Sequence, residues 1–99
     1  LVLPAFNEAA GIIECLGEAY QALLLSQREF EIIVVDDGST DATASLVEEY
    51  ATLNPCVRLI RHERNLGYGA ALRTGFESAK FELVAFSDAD GQFFVEDLE

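Results

Sequence analysis

Two carboxylates, Asp88 and Asp90, stand two positions apart shortly after the apolar run Leu83-Val84-Ala85-Phe86. Such a run reads as a buried strand, and its carboxyl end is where open α/β sheets take their ligands. Acidic side chains at this spacing on an extended segment can converge on one hard divalent cation. Mg²⁺ or Mn²⁺ accepts such oxygen donors and keeps coordination positions for phosphates. The pair therefore suits a nucleoside diphosphate, with the cation offsetting charge on a departing group. A second pair, Asp36-Asp37, follows Ile32-Ile33-Val34-Val35 and precedes Gly38, which is free to take a positive φ. One of these acids could accept from a base N–H or a ribose hydroxyl at a strand end. A capping turn needs only Ser39 or Asp41, so it leaves two adjacent acids unexplained.

The remaining polar clusters carry weaker signals. In Pro4-Ala5-Phe6-Asn7-Glu8, Phe6 could stack on a nucleobase while Asn7 or Glu8 bonds to ring or ribose. The plainer alternative is a strand exit with a buried Phe6 and Asn7 as a helix cap. Asn65-Leu66-Gly67-Tyr68-Gly69 opens a helix, but Leu72 stands where a third glycine would complete a dinucleotide fingerprint. That loop either offers backbone N–H groups to an anion or is only a tight turn. His62 is the single histidine, and with no ligand-type neighbour it reads as a surface or loop residue, not a zinc ligand.

These residues need a scaffold, and the hydrophobic pattern supplies one. Leu1–Ala5 reads as a strand, followed by a helix to about Leu25 with Ile12, Ile13, Leu16, Tyr20, Leu23 and Leu24 on one face. Phe30–Val35 reads as a strand buried on both faces. A helix over 42–53 buries Leu46, Val47, Tyr50 and Leu53 before Asn54-Pro55 breaks it. Val57–Arg61, a helix from Tyr68 to Ala79 and Glu82–Ser87 complete the alternation. Successive βα units imply a parallel sheet with right-handed crossovers. The loops 4–8, 36–41, 62–67 and 88–92 then share one rim.

Composition narrows the function classes. Ninety-nine residues make one small domain or part of a larger one, and Leu1 opening an apolar run suggests an excerpt truncated at both ends. Six basic against eighteen acidic residues give a net charge of −12, which argues against nucleic acid and against adhesion to anionic lipid. No stretch approaches the ~20 apolar residues that span a bilayer. Cys15 and Cys56 lack metal or redox spacing and read as reduced, structural thiols.

Four ordered segments, Pro4–Glu8, Val34–Asp41, Asn65–Phe76 and Ser87–Gln92, together resemble the family 2 inverting glycosyltransferases. The likeness is to the branch of dolichyl- and polyprenyl-phosphate sugar synthases. It implies a three-layer α/β/α, Rossmann-like GT-A fold with a mainly parallel sheet, of which residues 1–99 are the N-terminal, donor-nucleotide-binding part. It further implies that Pro4, Phe6 and Glu8 line the nucleotide pocket, that Val35 and Asp37 meet base or ribose, and that Asp88 and Ala89 border ribose and diphosphate. Asp88, Asp90 and Gln92 would hold Mg²⁺ or Mn²⁺. Phe6 departs from a more usual tyrosine, which keeps the stacking face and drops a hydroxyl. The donor would be a UDP- or GDP-sugar and the acceptor a polyprenyl phosphate. A general base, if one is used, would lie beyond Glu99. Location in the cytoplasm or at the cytoplasmic face of a membrane follows from the same likeness, with membrane contact only through other regions.

Two rival functions use the same residues. An aspartyl-phosphate phosphohydrolase of the haloacid dehalogenase type would take Asp88 as nucleophile and Asp90 as acid. Gln92 replaces the threonine of that signature, and three βα units precede a motif that normally opens its domain. The other rival is a nucleotide-sugar-binding domain without turnover.

Overall fold

The computed structural model of the chain describes residues 1–25, 30–78, 83–87 and 93–97. Its elements alternate as β1 (Val2–Ala5), α1 (Ile12–Leu25), β2 (Ile32–Asp37), α2 (Thr43–Leu53), β3 (Val57–His62), α3 (Tyr68–Ser78), β4 (Leu83–Ser87) and β5 (Phe93–Asp97). The strands form one sheet in the order β3-β2-β1-β4-β5. β1 runs parallel to β2 and β4, β2 runs parallel to β3, and β5 alone is antiparallel, paired with β4 from Leu83↔Asp97 to Ser87↔Phe93. The chain winds outward from β1 to β3 and then crosses to β4 on the other side of β1. The strand order thus reverses between β1 and β4, and in such sheets the carboxyl ends at that point are the usual ligand position.

Side-chain alternation along the strands divides the core into two layers. Leu3, Ala5, Ile32, Val34 and Val57 face α1 and α2, where Ile12, Cys15, Leu16, Ala19 and Val47 meet them. Val2, Ile33 and Val35 face α3 through Ala71, with Ile60, Leu72 and Phe76 partly buried beside them. Each fully buried aliphatic side chain contributes roughly 1.5–3 kcal/mol. The helical faces differ in detail from the periodicity. Ile13 and Leu24 are exposed on α1, and Leu53 is exposed at the end of α2. The buried stripe of α1 is Ile12, Cys15, Leu16 and Ala19, rotated toward the small residues that let the helix approach the sheet. Ala79 and Glu82 lie outside the described residues.

β3 is six residues long, one more than its apolar content suggests, because pairing with β2 continues through Asp36↔Arg61 and Asp37↔His62. Its central positions are only half-buried. Arg58 covers part of it, bonded to Glu31 Oε1 and to the Ser78 carbonyl. Charged side chains on an outer strand discourage pairing with other chains.

α3 lies very close to β1. A methyl group at Gly75 would sit 2.2 Å from Val2 Cγ1 and 3.0 Å from Cγ2. In an exposed helix Gly→Ala gains up to about 1 kcal/mol. Here the added carbon has no space, so Gly75→Ala is expected to cost about 1–2 kcal/mol net through overpacking. Val2→Ala in the same chain should recover part of that loss, measured as a coupling in a double-mutant cycle by urea denaturation. A Gly75→Ala variant more stable than the parent would contradict the close approach.

Candidate functional site at the carboxyl rim

The first two rim loops are fastened to each other by side chains. Asn7 adopts φ 51°, a left-handed conformation that asparagine tolerates better than most residues. Its Oδ1 accepts from Thr40 N at 2.8 Å, and its own N–H donates to Ser39 Oγ at 2.9 Å. Glu8 N donates to Thr43 Oγ1 and Ala9 N to Asp41 Oδ2. Three consecutive amides thus find side-chain acceptors on the loop after β2 and the first residue of α2. Asn7 does not cap α1, whose entry turn closes through Gly11 N and Ile12 N on the Glu8 carbonyl. Asp41 also accepts from Thr43 N and the Thr43 hydroxyl. Those hydrogen bonds, the Thr43 hydroxyl first, hold its carboxyl below the usual range.

Asp37, the last residue of β2, is the hub of the other half of the rim. Its Oδ1 accepts from Leu66 N at 2.9 Å and lies 2.8 Å from His62 Nδ1. Its Oδ2 accepts from Gly67 N at 2.9 Å. Burial pushes this carboxyl up, but the bonds from His62, Leu66 and Gly67 outweigh it and hold the group below the ordinary aspartate value. The carboxylate also sits just ahead of α3, where negative charge is favourable. The anion that the Asn65–Gly69 loop receives is therefore, at Leu66 and Gly67, the protein's own Asp37. A carboxylate has about four acceptor positions. Among the described residues three are used, two on Oδ1 and one on Oδ2.

His62 departs from the surface role its sequence suggests. Its side chain is only 10% exposed, and Nε2 lies 2.9 Å from Thr74 Oγ1 on α3. Pattern reading misses it because its partners are 12 and 25 residues away.

Asp36 points to the opposite face. Its Oδ1 accepts from Ser39 N at 3.3 Å, while Oδ2 is buried without a hydrogen-bond partner among the described residues, 3.5 Å from Arg61 Nε. Beside it, Gly38, Ser39, Arg61, His62 and Glu63 line an open cleft of about 380 Å³. Gly38 takes φ 76°, and its Cα packs directly on the backbone of Arg64 and Asn65.

Residues 1–99 match the sequence profile of Glycosyl transferase family 2 from end to end. The chain belongs to glycosyl transferase family 2. It is 42% identical over 103 residues to a dolichyl-phosphate beta-glucosyltransferase of Trichomonas vaginalis, covering 99% of this chain and 31% of that protein. It is 40% identical over 94 residues to an undecaprenyl-phosphate 4-deoxy-4-formamido-L-arabinose transferase of Pseudomonas fluorescens, covering 93% of this chain and 27% of that one. Among solved structures, a mannosyltransferase of Pyrobaculum calidifontis in complex with GDP-Man and Mn²⁺ superposes with a TM-score of 0.77 at 32% identity, over 90% of this chain and 26% of that chain. This family 2 chain thus spans under a third of the length of these relatives. The α/β/α layering and mainly parallel sheet are those of the GT-A fold.

Within this member of the family, the rim gathers the candidate residues unevenly. Phe6 is 44% exposed and Glu8 is also exposed, both on the loop beyond β1. Pro4 and Val35 are buried register partners that support the rim from below. Asp37 lies at the rim, with one acceptor position unused among the described residues. Asp88, Ala89, Asp90 and Gln92 lie outside the described residues. β4 ends at Ser87 and β5 begins at its partner Phe93, on the same rim as Asp37 and His62. Among the described residues, no cluster of three His, Cys, Asp or Glu side chains could hold a metal. The donor set that the family resemblance implies, two carboxylates and a carboxamide oxygen, would suit a hard divalent ion.

Proposed function

We propose that this chain is the donor-binding, N-terminal part of an inverting, metal-assisted glycosyltransferase that moves a sugar from a nucleoside diphosphate to a polyprenyl phosphate. The observation that carries this reading is the interlocked rim. Its loops satisfy one another's backbone groups and leave an exposed aromatic face at Phe6 and a fourth acceptor position on Asp37. Phe6 stacks on the base, and Asp37 takes one hydrogen bond from base or ribose. The cleft beside Gly38 and Arg61 is within the size range of small-ligand sites. Asp88, Asp90 and Gln92 would hold Mg²⁺ or Mn²⁺, which would supply charge neutralisation to the diphosphate.

The acceptor reading is supported by the polyprenyl-phosphate names of both curated relatives. A phosphate monoester with its second pKa near 6 is mostly anionic at neutral pH and needs positioning more than a strong base. Among the described residues no helix is long and apolar enough to cross a membrane. In this reading, contact with a lipid acceptor at the cytoplasmic face belongs to other parts of the protein. Residues 1–99 alone are expected to transfer no sugar.

Calorimetric titration of the full-length protein with GDP- and UDP-sugars, with and without Mn²⁺, tests this reading. One donor should bind in a Mn²⁺-dependent manner, and Asp90→Ala should weaken that binding at least about tenfold, or ~1.4 kcal/mol. Binding indifferent to metal would reject the assignment. Phosphate release from a generic ester, lost in Asp88→Asn, would instead favour the phosphohydrolase.

A further inference from the structure

We infer that His62 is a positioning residue of the donor site, the link through which α3 fixes the plane of the Asp37 carboxylate. This rests on the reading of Asp37 as a nucleotide contact. Leu66 N and Gly67 N both come from one short loop, so by themselves they let the carboxylate and that loop shift together. His62 adds a third bond to the carboxylate from a different element, the end of β3. Nδ1 carries the proton of that bond, because an ionised carboxylate only accepts.

The other edge of the ring is held as well. Nε2 meets the Thr74 hydroxyl, which is itself 3.0 Å from the Ala70 carbonyl one turn earlier in α3. Asp37 is thus referenced to α3 at two separate places: its entry loop directly, and its second turn through the imidazole. The direction of the remaining lone pair on Oδ2 depends on the tilt of the carboxylate. An imidazole satisfied at both nitrogens removes that freedom. The ring itself donates nothing to the ligand.

The test uses the full-length protein with His62→Leu and His62→Asn, read by donor affinity in Mn²⁺ and by amide hydrogen exchange. His62→Leu should raise the Kd of the donor sugar nucleotide about tenfold, the scale of one lost hydrogen bond to a charged group. Exchange at Leu66 and Gly67 should quicken while Val34 and Val35 in the sheet keep their protection. His62→Asn places an amide nitrogen near the Nδ1 position but leaves Thr74 without its ring partner, so both readouts should fall between those of the parent and His62→Leu. A His62→Leu protein that binds donor as tightly as the parent overturns the role, and a His62→Asn protein that matches the parent in both readouts overturns the link to α3. A parent that binds neither GDP- nor UDP-sugar rejects the donor-site reading itself, and the positioning role falls with it. Should His62→Leu fail to fold, Thr74→Val removes the anchor on α3 instead. Faster exchange at Leu66 and Gly67 with weaker donor binding is then expected, and no change in either overturns the link.

Discussion

Gly38→Ala should destabilise the chain by about 3 kcal/mol or more, well beyond what a glycine-to-alanine change costs at an ordinary turn. Two independent penalties meet at this position. The first is conformational: φ is 76°, and an alanine in left-handed backbone costs roughly 1 kcal/mol. The second is steric and larger. A Cβ would lie 2.4 Å from the carbonyl carbon of Arg64 and 2.4 Å from the nitrogen of Asn65. Both atoms belong to backbone, so no rotamer change relieves the contact, and the whole 64–65 segment must move.

That movement reaches the proposed donor site, because Leu66 and Gly67 follow directly and donate to Asp37. Donor binding by folded Gly38→Ala protein should therefore fall together with stability. Gly67 provides the control. It has φ 102° but nothing within 4 Å of its Cβ direction, so Gly67→Ala should carry only the conformational penalty. Urea denaturation of the two variants side by side checks the difference. Equal losses would mean that the packing of Gly38 on the 64–65 backbone is unimportant.

This dependence on a distant backbone segment marks where sequence reading succeeds and where it stops. The order of strands and helices was legible because each strand is a short aliphatic block and each helix has local periodicity. Ile32-Ile33-Val34-Val35 could hardly be anything but a strand covered on both sides. The rim was legible too, since a βα alternation puts every strand exit at one end. What escaped were contacts between loops. Asn7 has the same side chain whether it caps its own helix or accepts from Thr40, 33 residues away. His62 has no local partner, so its spacing carries no signal. β5 was hidden because Phe93-Phe94-Val95 is only three apolar residues before two acids. Its pairing is set by the register of β4 and not by its own length.

Asp37→Asn is the second large effect, and its geometry leaves no good solution for the amide. Three donors surround the native carboxylate: His62 and Leu66 at Oδ1, Gly67 at Oδ2. If the new carbonyl oxygen takes the Oδ1 position, the NH₂ group faces the Gly67 N–H. In the flipped orientation it faces the Leu66 N–H. A histidine can exchange tautomers to suit an amide, but a backbone N–H cannot. One buried donor is left unpaired in either case, and the charge-assisted bonds are lost, for about 3–5 kcal/mol together.

The pH dependence separates this loss from a general packing defect. Asp37 has a folded-state pKa below its unfolded value, so its contribution is fully present above about pH 4, the unfolded aspartate range. It disappears as pH falls through the lower folded value, because the unfolded chain then binds more protons than the native one. The difference in stability between parent and Asp37→Asn should therefore be large at pH 5 and should shrink below about pH 4. Asp41 also titrates low in the folded chain, but it is present in both proteins and cancels in the difference. Denaturation midpoints collected from pH 2.5 to 7 check the shape. A gap that stays constant down to the lowest pH would mean that the asparagine is rejected for its volume or polarity, and that the ionised carboxylate is not what holds the α3 entry loop to the rim.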